Sequence, residues 1–197
     1  LPAGIYDFVD DGNMIIHSEY SSYFENYGLL RKSGGAGTST MTNNVNNIGG
    51  VIQVDSGTLC LKGSGTSSNG TFIVAAGAVL DITGGYSPIW AGIVNGSGNG
   101  AVSLNSGSIR GNPDLTFNLP NGLFQWSGGR ISGLVTNLSC LTISGSGSVY
   151  QGDNFYNSGL IRHTNTALLT IDSHSYFRNL PAGIYDFVDD GNMIIHS

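Results

Sequence analysis

Pairs of apolar residues separated by one other residue recur along the chain at nearly even intervals. Alternation of this kind is typical of a short strand with one buried face. From the pair Leu59/Leu61 to the pair Met193/Ile195, the steps between the first residues of successive pairs are 21, 22, 22, 17, 28 and 24. Besides Phe124/Trp126 and Met193/Ile195, the pattern predicts an inward core ladder of ten residues: Leu59, Leu61, Leu80, Ile82, Val102, Leu104, Leu141, Ile143, Leu169 and Ile171.

The two ends of the chain carry the same 18-residue sequence. Residues 1–18 and residues 180–197 both read LPAGIYDFVDDGNMIIHS. Self-similarity at a fixed period is the signature of a repeat architecture. We therefore interpret residues 1–179 as one repeat of a longer array and residues 180–197 as the start of the next repeat, in the same continuous domain.

The duplication also leads to a structural expectation for the two copies. Identical repeats in an array meet nearly identical neighbours, so both copies should adopt one conformation, related by translation and a modest twist. Their inward residues should be Met14/Ile16 and Met193/Ile195. Residues 10–12, Asp-Asp-Gly, should form an exposed corner.

A shorter phrase recurs within the repeat and contains asparagine and glycine. Residues 24–28, Phe-Glu-Asn-Tyr-Gly, return as Phe-Tyr-Asn-Ser-Gly at 155–159, in weaker form at 45–49, and in part at 177–179. Both residue types tolerate the backbone conformations of tight turns. In stacked coils, equivalent amides can also form a ladder along the axis. We predict such a turn ladder at Asn26, Asn47, Asn157 and Asn179.

Composition agrees with many short strands joined by tight turns. Only 10% of the residues are charged, against roughly 25% in ordinary domains, and 31 of 197 are glycine. A hydrophobic content of 40% argues against disorder. We therefore expect an all-β, right-handed parallel β-helix, or β-solenoid, with about eight turns of about 22 residues per repeat. At about 4.8 Å per turn, one repeat would advance about 38 Å.

Three stretches resemble the repeats of very large bacterial surface proteins. Residues 49–63, residues 70–85 and residues 124–133 are similar to the β-solenoid arrays of filamentous-haemagglutinin-like and autotransporter-passenger proteins. This resemblance implies an extracellular or cell-surface location. The tandem repeat leads us to expect self-association as the main partnership, by axial head-to-tail stacking and by lateral bundling, because an array cut between repeats exposes strand edges.

Charge and hydropathy argue against two other classes of partner. The net charge is −6, and the seven lysines and arginines are scattered, so no basic surface is available for phosphates. No apolar run reaches the roughly 20 residues of a membrane helix. We expect neither nucleic-acid binding nor membrane insertion of this segment.

The candidates for chemistry are few. The densest acidic cluster is Asp7, Asp10 and Asp11, which we interpret as a solvated turn, with a calcium site or catalysis as alternatives. His17, His163 and His174 lack the spacing of a metal site. We therefore expect no cofactor, no metal and no catalytic residues.

The two cysteines, Cys60 and Cys140, are far apart in the sequence. Four turns would separate them by roughly 19 Å along the axis, beyond the roughly 7 Å that a disulfide allows between Cα atoms. Because both alternate with leucines, we expect both to face outward, unpaired within the chain and available to pair between molecules.

These features favour a structural protein that forms an extracellular fibre, sheath or stalk, rather than an enzyme. Two alternatives remain. One is a carbohydrate-active β-helix enzyme. The other is a sugar-binding or receptor-binding adhesin module, in which exposed aromatic residues at Tyr20, Tyr23 and Tyr27 could contact carbohydrate.

Overall fold

The chain folds as a β-solenoid. The computed structural model describes residues 4–15, 22–42 and 44–196. Every strand pair in these ranges is parallel, and partners lie about one coil apart, as in Leu59 opposite Leu80. The predicted all-β class and the predicted stack of parallel coils are therefore confirmed.

Each coil has three strands, so the solenoid has three faces. The first face contains β1 (Ile5–Phe8), β4 (Leu29–Lys32), β7 (Val51–Val54), β10 (Thr71–Val74), the later parts of β12 (Ile89–Ser97), β14 (Ser108–Asn118) and β16 (Arg130–Asn137), then β19 (Asn154–Asn157) and β22 (Tyr176–Asn179).

The second face contains β2 (Met14–Ile15), β5 (Thr38–Thr42), β8 (Thr58–Lys62), β11 (Val79–Asp81), β13 (Ala101–Leu104), β15 (Phe124–Trp126), β17 (Cys140–Ile143), β20 (Leu160–His163) and β23 (Ile184–Phe187). The third face contains β3 (Tyr23–Asn26), β6 (Asn44–Asn47), β9 (Thr66–Ser68), the earlier parts of β12, β14 and β16, then β18 (Ser148–Gln151), β21 (Leu168–Ile171) and β24 (Asn192–Ile195).

The core is a column of inward side chains supplied by alternate residues of all three faces. All ten residues of the predicted inward ladder are buried. They do not form one series, however. The residues from Leu59 to Ile143 lie on the second face, where the next coil places His163 opposite Ile143. Leu169 and Ile171 lie on the third face, above Val149 and Gln151.

The identical copies at the two ends lie on different faces. Residues 5–8 form β1 on the first face, whereas residues 184–187 form β23 on the second. Likewise, residues 14–15 lie on the second face and residues 193–194 on the third. One repeat therefore spans eight coils and one-third of a ninth. The expected relation by translation and a modest twist is wrong, because a rotation of one face, or a third of a turn, is added.

The reason is that the coils differ in length. Phe124 pairs with Leu141 across a short coil, whereas Met14 pairs with Met41 across a long one. The length of residues 1–179 is therefore not a whole number of coils. In the apolar series, the long step from Leu141 to Leu169 marks the change from the second face to the third.

The C-terminal coil also corrects a prediction about burial. Ile195 lies opposite Ile171, in an inward register, yet it is 68% exposed because no coil in the described ranges covers it. Met14 and Met193 pack partly against the core, while Ile16 falls outside the described residues. Residues 10–12 are exposed, as expected for a corner.

Candidate functional site

The asparagines that recur in the sequence form two separate hydrogen-bonded ladders. At the corner between the third face and the first, Asn26 donates from Nδ2 to Oδ1 of Asn47 at 2.7 Å. Asn47 ends this ladder by donating to the carbonyl oxygen of Gly50 at 3.0 Å. Both side chains are buried, so the ladder satisfies amides that water does not reach.

The second ladder lies at the corner between the first face and the second. Asn137 donates to Asn157 at 2.8 Å, and Asn157 donates to Asn179 at 2.7 Å. Asn179 then donates to the carbonyl oxygen of Gly183 at 2.8 Å. The sequence phrase did not identify Asn137, because no phenylalanine or glycine marks it. Its only signal is its position about one coil before Asn157.

Glycine is required where the chain passes close to a ladder. A Cβ on Gly50 would lie 2.5 Å from the carbonyl oxygen of Asn26 and 2.6 Å from its Nδ2 atom. Real Cβ atoms do not approach other atoms so closely. Gly50 directly follows the weaker form of the phrase at 45–49 and is required by the packing of the ladder, whereas Gly49, inside the phrase, has φ +64° and no atom within 4 Å of an added Cβ, so it serves the turn.

The C-terminal copy, residues 180–197, contacts the coil that precedes it. Tyr185 donates its hydroxyl to Nδ1 of His163 at 2.8 Å, and the Phe187 ring lies 5.2 Å from the imidazole. Nε2 of His163 donates to the carbonyl oxygen of Ala167 at 2.9 Å. Burial lowers the pKa of His163, so this neutral tautomer is favoured. Farther along, Asp189 accepts the backbone N–H of Asn165 at 2.8 Å.

The N-terminal copy, residues 1–18, contacts the coil that follows it. Lys32 is fully buried and donates from Nζ to Asp11 at 2.8 Å and to the carbonyl oxygen of Gly34 at 2.7 Å. On the outer surface, Arg31 binds Asp7 at 2.6 Å. Hydrogen bonds from Arg31 and Lys32 lower the pKa values of Asp7 and Asp11, respectively.

The aspartates of the acidic cluster therefore have separate partners and do not form a shared site. Asp7 and Asp11 bind different cations, and Asp11 also accepts the backbone N–H of Gly37 at 3.0 Å. Within the described ranges, no group of three His, Cys, Asp or Glu side chains is arranged to hold a metal ion. His163 lies in the core, His174 lies in a turn, and His17 falls outside the described residues.

The cysteines are free thiols, and one lies differently from the prediction. Cys140 alternates with Leu141 but is only 5% exposed, because the turn at Asn121 packs over it, with Sγ 3.2 Å from Oδ1. Cys60 is half-buried beside Asp81, and burial raises its thiol pKa to about 11. Neither thiol has the low pKa of a reactive cysteine.

A polar groove of about 510 Å³ runs along the outer surface near the C-terminal end, lined by Arg130, Asp153, Asp172, Ser173, His174, Ser175 and His196. Arg130 and Asp172 form an ion pair, and Asp153 accepts the backbone N–H of Gly133 at 2.8 Å. The candidate carbohydrate contacts Tyr23 and Tyr27 are exposed elsewhere on the surface, while Tyr20 falls outside the described residues.

A scan against protein-family models and searches of curated proteins and of solved structures found no match. The described part of the chain has no helix of the length and hydrophobicity that crossing a membrane requires. The fold thus defines the class of this protein, a parallel β-solenoid.

Proposed function

We propose that this chain is a structural unit of an extracellular fibre, sheath or surface stalk, in which tandem copies continue one β-solenoid. The observation that carries the proposal is the complementary use of the duplicated segment. As the C-terminal copy it contacts the preceding coil, through Tyr185, Phe187 and Asp189. As the N-terminal copy it contacts the following coil, through Asp7 and Asp11.

These two sets of contacts use opposite sides of the same coil, so one segment can make both at once. A copy inside an array would then have coils on both sides, and stability would be approximately a sum of neighbour terms. The parallel ladders and buried amides make such a rod stiff along its axis. The resemblance to bacterial surface arrays supports the extracellular assignment. The proposal also includes lateral bundling of the rods.

Chains with one, two and three copies test this proposal. We expect the longest dimension measured by small-angle X-ray scattering to increase by about 40 Å per copy, since eight and one-third coils each advance about 4.8 Å. A two-copy chain with a flexible Gly/Ser linker after residue 179 is the control and should be less extended. Particles whose length does not increase with copy number would contradict the proposal.

A second candidate function is a carbohydrate-binding or carbohydrate-active module, and the polar groove favours it. Glycoside hydrolysis uses paired carboxylates, and Asp153 and Asp172 both line this groove. Each is already engaged, by a backbone N–H and by an arginine. Binding or cleavage of polysaccharides that is lost on changing both aspartates to asparagine would support this function over the structural one.

A further inference from the structure

Two strands at opposite ends of the described chain have matching sequences and one open edge each. Within the described ranges, β22 is Tyr-Phe-Arg-Asn at 176–179 and pairs with β19 alone, while β3 is Tyr-Phe-Glu-Asn at 23–26 and pairs with β6 alone. The two sequences differ only at the third position, where one has arginine and the other glutamate. An open strand edge is a template for pairing with another chain.

The duplicated segment determines which strand can reach the open edge of β22. β1 and β23 have the same sequence, and β4 covers β1 with Leu29 opposite Ile5. The β4 of a following copy would therefore cover β23 in the same way. β22 directly precedes β23, and β3 directly precedes β4, so the β3 of the following copy would lie over β22.

We propose that β22 pairs in parallel with β3 of a second copy of this chain, and that this pairing forms the joint between repeats. The proposal rests on the structural function above and specifies its interface. β23 and β24 are covered at the same time by β4 and β5 of the second copy, since β4 and β5 cover their duplicates β1 and β2. All three faces thus continue across the joint.

The register follows from the asparagine ladders. Asn157 lies opposite Asn179, and Asn26 lies opposite Asn47. Joining the ladders places Asn179 beside the second copy's Asn26 and produces five rungs, which run through Asn137, Asn157 and Asn179, then Asn26 and Asn47 of the second copy. The same register places arginine beside glutamate and aromatic residues beside aromatic residues.

Each of these pairings matches in chemistry. Arg178 of the first copy lies opposite Glu25 of the second copy. The two side chains have opposite charges and form a favourable cross-strand pair. Tyr176 and Tyr23, which are 56% and 58% exposed, cover each other. Phe177 is already stacked on Phe155, at 5.2 Å and 3° between the ring planes, so Phe24 of the second copy extends an existing aromatic column.

The N-terminal end has open features that a preceding copy would fill. A groove of about 460 Å³ is lined by residues 4–6 and 24–29, which places it at the proposed interface. In addition, Oδ1 of Asp7 is buried and has no hydrogen-bond partner among the described residues. Arg162 lies opposite Asp186, the duplicate of Asp7. In joined repeats, each such aspartate would lie between Arg162 of one copy and Arg31 of the next.

The joint has a geometric consequence for the whole array. β22 belongs to the first face, whereas β3 belongs to the third. Each repeat is therefore rotated by one face relative to its neighbour. Because the solenoid has three faces, a given surface feature returns to the same side of the rod after three repeats.

A disulfide across the joint tests the proposal. The reagent is a two-copy chain, residues 1–179 followed by residues 1–197, with Cys60 and Cys140 changed to alanine. We expect Asn179→Cys in the first copy and Asn26→Cys in the second to form a disulfide on mild oxidation, because neighbouring strands lie about 4.8 Å apart. Asn179→Cys with Asn47→Cys of the second copy, one coil farther, should not form one.

The single-copy pair Asn157→Cys and Asn179→Cys, already neighbours in a ladder, is the positive control. If the control forms its disulfide and the joint pair does not, the proposed pairing is overturned. When the two-copy chain nevertheless has the expected added length, the structural function survives that result. Failure of the length to increase contradicts the function itself.

Charge reversal gives a second measurement that needs no cysteine. Arg178→Glu in the first copy should lower the midpoint of urea unfolding of the two-copy chain, and Glu25→Arg in the second copy should restore it. In the single-copy chain these two residues lie at opposite ends, so the second change should restore nothing. If Glu25→Arg restored the urea midpoint to the same extent in the single-copy and the two-copy chain, the proposed joint would be contradicted.

Discussion

The N-terminal and C-terminal copies have one sequence and two environments. Phe8 is 6% exposed beneath the coil that contains Lys32, whereas its duplicate Phe187 is 50% exposed. Asp11 binds the buried Lys32 of the following coil, whereas Asp189, the duplicate of Asp10, accepts the backbone N–H of Asn165 in the preceding coil. Local sequence therefore decides which side chains point inward, and the neighbouring coil decides how far each one is buried.

The largest expected difference between the copies is at the phenylalanines. Phe8→Ala should reduce the free energy of unfolding by about 3–5 kcal/mol, as for other buried aromatic residues. Phe187→Ala should cost less than half as much, because much of its ring is already in water. Urea unfolding of the two variants measures this difference, and equal losses would show that the copies are equally covered.

A smaller difference is expected along the second asparagine ladder. Asn157→Ala removes a buried rung and one of the two acceptors of Nδ2 of Asn137, whose other acceptor is the carbonyl oxygen of Leu160. This loss should cost about 1–3 kcal/mol. Asn179→Ala should cost less, since Asn179 is exposed at the end of the ladder. In a two-copy chain, the loss at Asn179 should rise toward that at Asn157. An unchanged loss there would mean that the rung stays exposed.

The smallest effect is a pH dependence of stability at His163, which the C-terminal copy contacts through Tyr185 and Phe187. Burial lowers the pKa of His163 below its ordinary value near 6.5, so the unfolded state binds a proton first as the pH falls. The stability contributed by the neutral imidazole is present above about pH 6.5 and is lost as the pH falls through the folded pKa.

We expect the melting temperature to fall between about pH 7.5 and about pH 5.5 in the unaltered chain, and to fall less in His163→Phe, which retains an aromatic ring beside Phe187. Asp7 and Asp11 have pKa values below the ordinary value of 3.8. Their protonation therefore lowers stability only in more acidic solutions. The same pH dependence in both proteins would assign it to groups other than His163.

Much of the core was predictable because inward and outward positions alternate along each strand. Leu59, Leu80 and Val102 are completely buried, and they stack as their even spacing along the chain indicated. Cys140 shows where this reasoning ends. It is correctly placed beside an inward leucine, but its burial depends on the turn at Asn121, which alternation cannot describe.

The asparagine ladders also separate what local sequence predicts from what the tertiary structure decides. The recurring phrase identified Asn26 and Asn157 as equivalent turn residues, yet they lie at different corners of the solenoid. Corner assignment depends on how many residues every intervening coil contains. A small excess or deficit in each coil accumulates along the axis, so similar local sequences reach different faces.

The sequence by itself shows the repeat directly, and it determined the strand periodicity, the inward residues and the glycine-marked turns, because these three follow from interactions within a few residues. Only the tertiary structure decided that one repeat spans eight and one-third coils, that Lys32 is buried over the N-terminal copy, and that β22 and β3 have open edges in the described chain. Those features depend on which distant segments become neighbours, and that is set by the summed lengths of the coils between them.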